Sequence, residues 1–241
     1  MNNIQRTLLA IYLSMSIVFL MLDNMFPGKV FVNYIKFTTV ATLFATSTFI
    51  NKSCLEQRLV NIALFFVVIG DFFINVGGTI SELKDVSTLF GLGGFTFAYI
   101  MLILAFQKNF KVGHNEVLAI FPVLIVFILN FLDLAVFLGS LFYPALVFGL
   151  VLSYMSWTCI CTIFRGHFNA KISRCIAIAG FLLLLSDVCV AHALFNPEFS
   201  NRFVPWLENI IWITYIPSWV LIVLTVAEDK PLVKSILVLR V

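Results

Sequence analysis

The chain has 241 residues, of which 61% are hydrophobic and only 11% are charged. A soluble domain has about 25% charged residues, so this composition excludes an ordinary soluble protein and indicates one that faces lipid. The net charge of +3 is small and comes with no basic face, which gives no reason to expect a nucleic-acid partner.

Continuous apolar segments fill most of the chain and predict membrane-spanning helices. A spanning helix needs about 20 apolar residues, and segments this long without strict alternation exclude a lipid-facing β-barrel. The connections are short, so the sequence predicts an all-α polytopic membrane bundle that forms a single domain, residues 1–241. The eight predicted spans are residues 8–26, 30–50, 59–77, 88–106, 117–133, 138–160, 175–194 and 207–227.

The distribution of Lys and Arg predicts which side of the bundle faces the cytoplasm. If the eight spans alternate in direction, eleven basic residues lie on the side that holds both termini, and three lie on the other. Cytoplasmic segments carry an excess of Lys and Arg, so both termini are predicted to be cytoplasmic. The eleven are Arg6, Lys52, Arg58, Lys108, Lys111, Arg165, Lys171, Arg174, Lys230, Lys234 and Arg240, and the three are Lys29, Lys84 and Arg202.

Two aspartates lie inside otherwise apolar spans, where a charge costs at least about 2.5–3.5 kcal/mol. Asp71 is in LVNIALFFVVIGDFFINVG, and Asp187 is in CIAIAGFLLLLSDVCVAHAL. Both spans run outward from the cytoplasmic side, and each aspartate is the thirteenth residue of its span. The two carboxyl groups are therefore predicted to lie at nearly the same depth, somewhat outward of the bilayer midplane.

Lys36 is the one basic residue well inside a predicted span, and it adds a positive charge to the same layer. It is the seventh residue of a span that runs inward, which places it at about the depth of Asp71. The three groups are therefore interpreted as one site. Asp23 and Asp133 fall at the outer ends of their spans, where water is expected to solvate them.

Two interpretations of these buried charges stay open on the residues alone. In a purely structural arrangement, Lys36 pairs with one aspartate and the other aspartate avoids the cost of burial by staying protonated. In a functional arrangement, one carboxyl group remains an anion while the other is a proton donor at neutral pH. That pair fits acid-catalysed hydrolysis through a cationic intermediate, and it equally fits a proton-coupled transporter or a lipid-binding protein without catalysis.

Other polar residues in the spans are candidates for substrate binding, together with Lys36. Asn75 follows Asp71 by about one helical turn and shares its face, so it can orient that carboxyl group or a substrate. Tyr99 in the fourth span and Tyr215 in the eighth add hydroxyl groups among aromatic side chains. No set of His, Asp and Glu residues has the spacing of a helical metal site, so neither a metal nor a cofactor is expected.

Short motifs stand in a fixed order along the spans, from about Lys36 to Ile222. They are Gly70-Asp71 in the third span, a Phe/Gly turn FGLGGF (residues 90–95) that opens the fourth, Gly180 followed by Ser186-Asp187 in the seventh, and WITYIPSWVLI (residues 212–222) in the last. In this order, and with a lysine in the second span, the motifs resemble the YhhN family of multi-span membrane proteins, which includes the lysoplasmalogenases.

The sequence departs from the family pattern at three positions. Tyr99 stands where the family often has His, Trp219 stands where it often has Gln, and Phe37 follows the lysine where Pro is usual. Both aspartates of the family pattern, Asp71 and Asp187, are present. A family member that binds lipid but has lost catalysis is therefore a further hypothesis.

The resemblance implies hydrolysis of the vinyl-ether bond of a lysoplasmalogen, which releases a fatty aldehyde and glycerophospho-ethanolamine or -choline. One of Asp71 and Asp187 would be the general acid that protonates the β-carbon. The other would stay ionised, stabilise the oxocarbenium ion and position or deprotonate a water molecule. Asp187 is the expected acid if Lys36 neighbours Asp71, although Lys36 could instead meet the lipid phosphate. The expected partners are a lysophospholipid substrate and membrane lipids, and the expected location is a bacterial inner membrane.

Overall fold

Long helices make up the chain in the computed structural model, which describes residues 1–233. The short helix α8 (Pro197–Ser200) follows a long helix that ends at Phe195, and one antiparallel bridge joins Phe168 to Leu232. The long helices in that range are α1 (Asn3–Met25), α2 (Val30–Phe49), α3 (Leu55–Asp71), α4 (Lys84–Phe106), α5 (His114–Leu134), α6 (Phe142–Arg165), α7 (Ala170–Phe195) and α9 (Pro205–Val226).

Seven of the helices in residues 1–233 are long and apolar enough to cross a membrane. This confirms the all-helical class and indicates an integral membrane protein. The seven do not include α2, in which Asn33, Lys36 and several hydroxyl side chains interrupt the apolar residues, so the count of eight spans and the side of the termini stay predictions. The hydroxyl residues of α2 are Tyr34, Thr38, Thr39, Thr42, Thr46, Ser47 and Thr48.

Several helices extend beyond the predicted spans at the end that holds the termini. α3 begins at Leu55 and α6 ends at Arg165. The charged side chains in these extensions have partners, because Arg165 Nε donates to Glu116 Oε1 at 2.8 Å and Glu56 Oε1 lies 3.1 Å from His167 Nε2. A span predicted from hydropathy ends near the charged residues, whereas the helix continues to them because their side chains meet polar partners at that end of the bundle.

Helix α9 lies at the centre of the bundle and is the most buried of the candidate spans, whereas α5 is the least buried. α9 packs against α1, α3 and α7, and α7 also packs against α6. This arrangement matters for function, because α3 and α7 carry the two aspartates and α9 carries Tyr215 between them. α5 packs mainly against α6 and leaves most of its surface to lipid.

Helices α3 and α4 approach closely just before Asp71. A Cβ atom on Gly94 would lie 2.7 Å from the backbone nitrogen of Gly70 and 2.8 Å from its Cα atom. Small residues allow such close contacts between membrane helices. Residues 90–95 are helical within α4, so the predicted turn at this motif is wrong. Gly94 serves helix packing, and Gly180 does the same on α7, where an added Cβ would overlap Cβ of Cys159 on α6.

We expect Gly94→Ala to lower the free energy of unfolding by about 1–3 kcal/mol, because the new methyl group meets backbone that can move only if the helices separate. The midpoint of thermal unfolding in mild detergent measures this. Gly93→Ala is the matched control on the same helix, since its Cβ would meet nothing within 4 Å. Equal midpoints for the two variants would contradict the close contact.

Candidate active site

Asp71 ends α3 and holds a hydrogen bond on each of its carboxyl oxygens. Its Oδ2 accepts from the hydroxyl group of Tyr215 on α9 at 2.7 Å, and its Oδ1 accepts from Nδ2 of Asn75 at 3.0 Å. A π-helical turn, Phe72–Val76, follows Asp71 and carries Asn75. Such turns often occur at functional sites. The side chain is thus fixed by two neutral donors while the residue is only 3% exposed.

Asp187 on α7 is held by one donor. Its Oδ2 accepts from the hydroxyl group of Tyr99 on α4 at 2.5 Å, and the residue is 8% exposed. Within residues 1–233 its other oxygen, Oδ1, has no hydrogen-bond partner. The two carboxyl groups therefore differ in their surroundings, although they match in depth along their spans.

The two tyrosines belong to one cluster of aromatic rings. Tyr99 stacks on Trp219 with 6.4 Å between ring centres, and Tyr215 meets the same indole edge-on at 6.4 Å. Phe95 completes the cluster, with its ring centre 6.4 Å from that of Tyr99 and 6.3 Å from that of Tyr215. Tyr99 and Trp219 are fully buried, so the cluster is a rigid base that positions both hydroxyl groups.

Both aspartates line the same cavity, which has a volume of about 180 Å³ and lies among α3, α4, α5, α6, α7 and α9. Asn75 and Tyr215 also line it. Tyr99 does not, so it acts on the cavity only through Asp187. Most of the wall is apolar, and its large side chains include Ile74, Phe95, Phe127, Phe131, Leu134, Phe148, Leu152 and Leu184.

Lys36 has other partners than the predicted ones. Its Nζ donates to Oδ1 of Asp23 at 2.8 Å and lies 3.6 Å from Oε2 of Glu208. It also lies 4.4 Å from the centre of the Trp212 ring. Lys36 contacts neither Asp71 nor Asp187 and, at 2% exposure, does not line the cavity, so the interpretation of the three groups as one site is wrong. Depth along a span does not say toward which neighbour a helix points a side chain.

The two aspartates at the outer ends of spans differ in exposure. The side chain of Asp133 is 57% exposed, as predicted. Asp23 is only 4% exposed, so the prediction that water solvates it is wrong. It is buried because α2 brings Lys36 against it, and its second oxygen, Oδ2, has no partner among the described residues.

Three polar residues of the cavity wall were not singled out in the sequence: Asn130, Ser153 and Glu208. The Ser153 hydroxyl group donates to the carbonyl oxygen of Gly149 in its own helix. Asn130 on α5 lines the cavity with a buried Oδ1 atom that has no partner in the described part of the chain. Glu208 lines it from the first turn of α9. A signal for Glu208 exists in the sequence, since Glu208, Trp212 and Tyr215 have the spacing of one helix face.

Comparison with known proteins identifies the family of the chain. The family model of the YhhN family matches residues 31–226, a range that begins in α2 and ends with α9. It contains both aspartates and both tyrosines that donate to them. Searches among curated proteins and among solved structures find no match. The extent of the matched range shows that the chain belongs to the YhhN family.

Proposed function

We propose that the chain is a membrane hydrolase that cleaves the vinyl-ether bond of lysoplasmalogens. The products are a fatty aldehyde and glycerophospho-ethanolamine or -choline. The observation that carries the proposal is the pair of buried carboxyl groups, Asp71 and Asp187, in the wall of one mainly apolar cavity, each held by its own tyrosine. Membership of a family that includes the lysoplasmalogenases supports it.

The hydrogen bonds support a different role for each carboxyl group. Each hydrogen bond that a carboxyl group accepts from a neutral donor favours its anionic form, and Asp71 accepts two, one on each oxygen. Asp187 accepts one and leaves Oδ1 without a protein partner among the described residues. We therefore assign the anion to Asp71 and the proton to Asp187. The sequence favoured the same assignment only if Lys36 neighbours Asp71, which it does not, so the support for the assignment is now the hydrogen bonds.

The reaction returns both groups to their starting forms. Asp187 donates its proton to the β-carbon of the vinyl ether, and the resulting oxocarbenium ion is stabilised by the negative charge of Asp71. Water adds to the cationic carbon and gives its proton to Asp71. The hemiacetal then breaks its bond to the glycerol oxygen, which receives the proton from Asp71, while the hemiacetal hydroxyl group returns a proton to Asp187. One water is consumed, and aldehyde and alcohol are released.

The walls of the cavity suit an amphiphilic lipid that has a single hydrocarbon chain. The apolar side chains from α5 and α6 offer a surface for the alkenyl tail, and burial excludes bulk water from a strongly electrophilic intermediate. α5 is largely exposed to lipid and packs mainly on α6, so this wall of the cavity is also the one nearest the bilayer. A substrate dissolved in the membrane is the class of ligand that this position favours.

The departure at Tyr99 is compatible with catalysis. The Tyr99 hydroxyl group donates to Asp187, which is a role that a histidine N–H group can also fill. Trp219 supports that tyrosine by stacking on it. These contacts favour a family member that keeps its catalytic acid over one that has lost it.

We also propose that α2 crosses the membrane, which gives eight spans. Asn2, before α1, donates to the carbonyl oxygen of Ala227, after α9, so these residues lie at the same end of the bundle. An odd number of crossings between them would put them at opposite ends. The Lys and Arg distribution makes that end cytoplasmic. A bacterial inner membrane stays a prediction.

Purified protein is expected to release aldehyde from lysoplasmenylethanolamine in mild detergent. It should leave the matched 1-alkyl and 1-acyl lysolipids uncleaved, because only the vinyl ether has a double bond that the acid can protonate. Aldehyde is measured with a coupled dehydrogenase. Binding of all three lipids without aldehyde release would replace the proposal with lipid binding, and uptake driven by a pH gradient in proteoliposomes would replace it with transport.

A further inference from the structure

Every charged side chain in the wall of the cavity is acidic within the part of the chain that the structure describes. Asp71 and Asp187 lie at the proposed reacting end, and Glu208 lies farther along the wall. Lys36, which contacts Glu208, is 2% exposed and does not line the cavity. An anionic group in the cavity would find no basic partner in this wall, whereas a cationic group would find carboxylates.

The negative charge of Glu208 is only partly offset. The Lys36 ammonium donates its hydrogen bond to Asp23 at 2.8 Å and lies 3.6 Å from Glu208, so two carboxylates share one cation. Glu208 Oε2 also accepts from Nε1 of Trp212 at 3.3 Å, whereas Oε1 has no hydrogen-bond partner in residues 1–233. The Glu208 side chain is 29% exposed, in contrast to the buried Lys36 and Asp23 side chains. It can therefore receive a further cation.

The position of Glu208 along α9 fits the length of the substrate. Glu208 precedes Tyr215 by seven residues, which corresponds to about 10 Å along the helix axis. Tyr215 marks the reacting end, because it donates to Asp71. In an extended glycerophosphoethanolamine group, the amine lies at a comparable distance from the ether oxygen. A lipid whose vinyl ether is between the two aspartates thus presents its amine at Glu208.

We propose that Glu208 binds the cationic amine of the lysolipid headgroup and makes the site select zwitterionic over anionic lysophospholipids. This inference rests on the proposed function for the identity of the lipid, and it assigns a specificity-determining residue to the same site. The Trp212 ring does not replace the carboxylate, because the Lys36 ammonium already lies over it.

Two lipids with the same vinyl-ether chain test the inference, one with a phosphoethanolamine and one with a phosphoglycerol headgroup. The wild type should prefer the first. Glu208→Gln should lower kcat/KM for the ethanolamine lipid by about tenfold to a hundredfold, mainly through KM, since one charged hydrogen bond is lost. The value for the glycerol lipid should be unchanged or higher. Equal losses for both headgroups, or no loss for either, would overturn the inference.

Two further variants test whether the headgroup preference depends specifically on the charge of Glu208. Asp133→Asn removes another acidic group at the outer end that does not line the cavity, so it should leave the headgroup preference unchanged. Asp23→Asn should weaken the preference in the same direction as Glu208→Gln, because it leaves Lys36 to neutralise Glu208 alone. An unchanged preference in Asp23→Asn would contradict the sharing of one cation, and this variant also serves if Glu208→Gln does not fold.

A binding measurement separates this inference from the proposed function. Non-cleavable 1-alkyl lysolipids with the same two headgroups are titrated against the purified protein, and tryptophan fluorescence reports their Kd. Tighter binding of the ethanolamine lipid that disappears in Glu208→Gln would support the inference even if no aldehyde is released from any lipid. Equal Kd values in the wild type would overturn it even if aldehyde is released.

Discussion

Asp71→Asn and Asp187→Asn are each expected to lower the rate of aldehyde release by about a thousandfold, within the range known for loss of a general acid or base. An asparagine at 187 has no carboxylic proton to give to carbon. An asparagine at 71 has no negative charge to stabilise the oxocarbenium ion or to take a proton from water. Both variants keep the size of the side chain and a carbonyl oxygen that can accept from Tyr99 or Tyr215.

The measurement is initial rates with lysoplasmenylethanolamine, together with the thermal unfolding midpoint of each variant. Because the tyrosine bonds are retained, the midpoints should stay close to that of the wild type. Asp133→Asn is the matched control, as its carboxylate is 57% exposed and outside the cavity wall. Full activity in either variant would rule out the two-carboxylate mechanism, even if the other variant is inactive.

The helices and the depth of the two aspartates are predictable because they depend only on the local sequence. An apolar segment of spanning length forms a helix, since the bilayer satisfies no backbone polar group, and counting residues from its end gives a depth. Asn75 follows from helical spacing. The structure places Asn75 at Asp71, in agreement with this spacing, whereas the contact between Tyr215 and Asp71 was not predicted.

The neighbouring helix that a side chain contacts is not predictable in this way. Lys36 and Asp71 share a depth, yet α2 points Lys36 toward α1 and α9. The burial of Asp23 depends on the same contact between helices, so its position near the end of a span wrongly indicated that water solvates it. The glycines of residues 90–95 indicated a turn because the close contact of Gly94 with Gly70 is visible only after α3 and α4 are packed. Rotation and packing of helices decide all three cases.

Lys36→Met is expected to lower the free energy of unfolding by about 3–5 kcal/mol, because removing one partner of a buried ion pair leaves the other charge uncompensated. Asp23 is 4% exposed, and its Oδ2 already lacks a partner among the described residues, so it has no other source of compensation there. Reversible unfolding in mixed micelles measures the change. Lys29→Met is the control at the exposed start of α2, and it should have little effect.

The double variant Lys36→Met with Asp23→Leu decides between a structural and a substrate-binding role for this lysine. Replacing both members of a buried pair by apolar side chains is often nearly neutral, so the double variant should regain most of the stability that Lys36→Met loses. Glu208 then keeps its charge at a partly exposed position, where the cost is smaller. If Lys36→Met is instead as stable as the wild type but fails to bind lysolipid, the ammonium is a ligand for the lipid phosphate. The buried pair with Asp23 would then not be the reason that α2 carries a lysine.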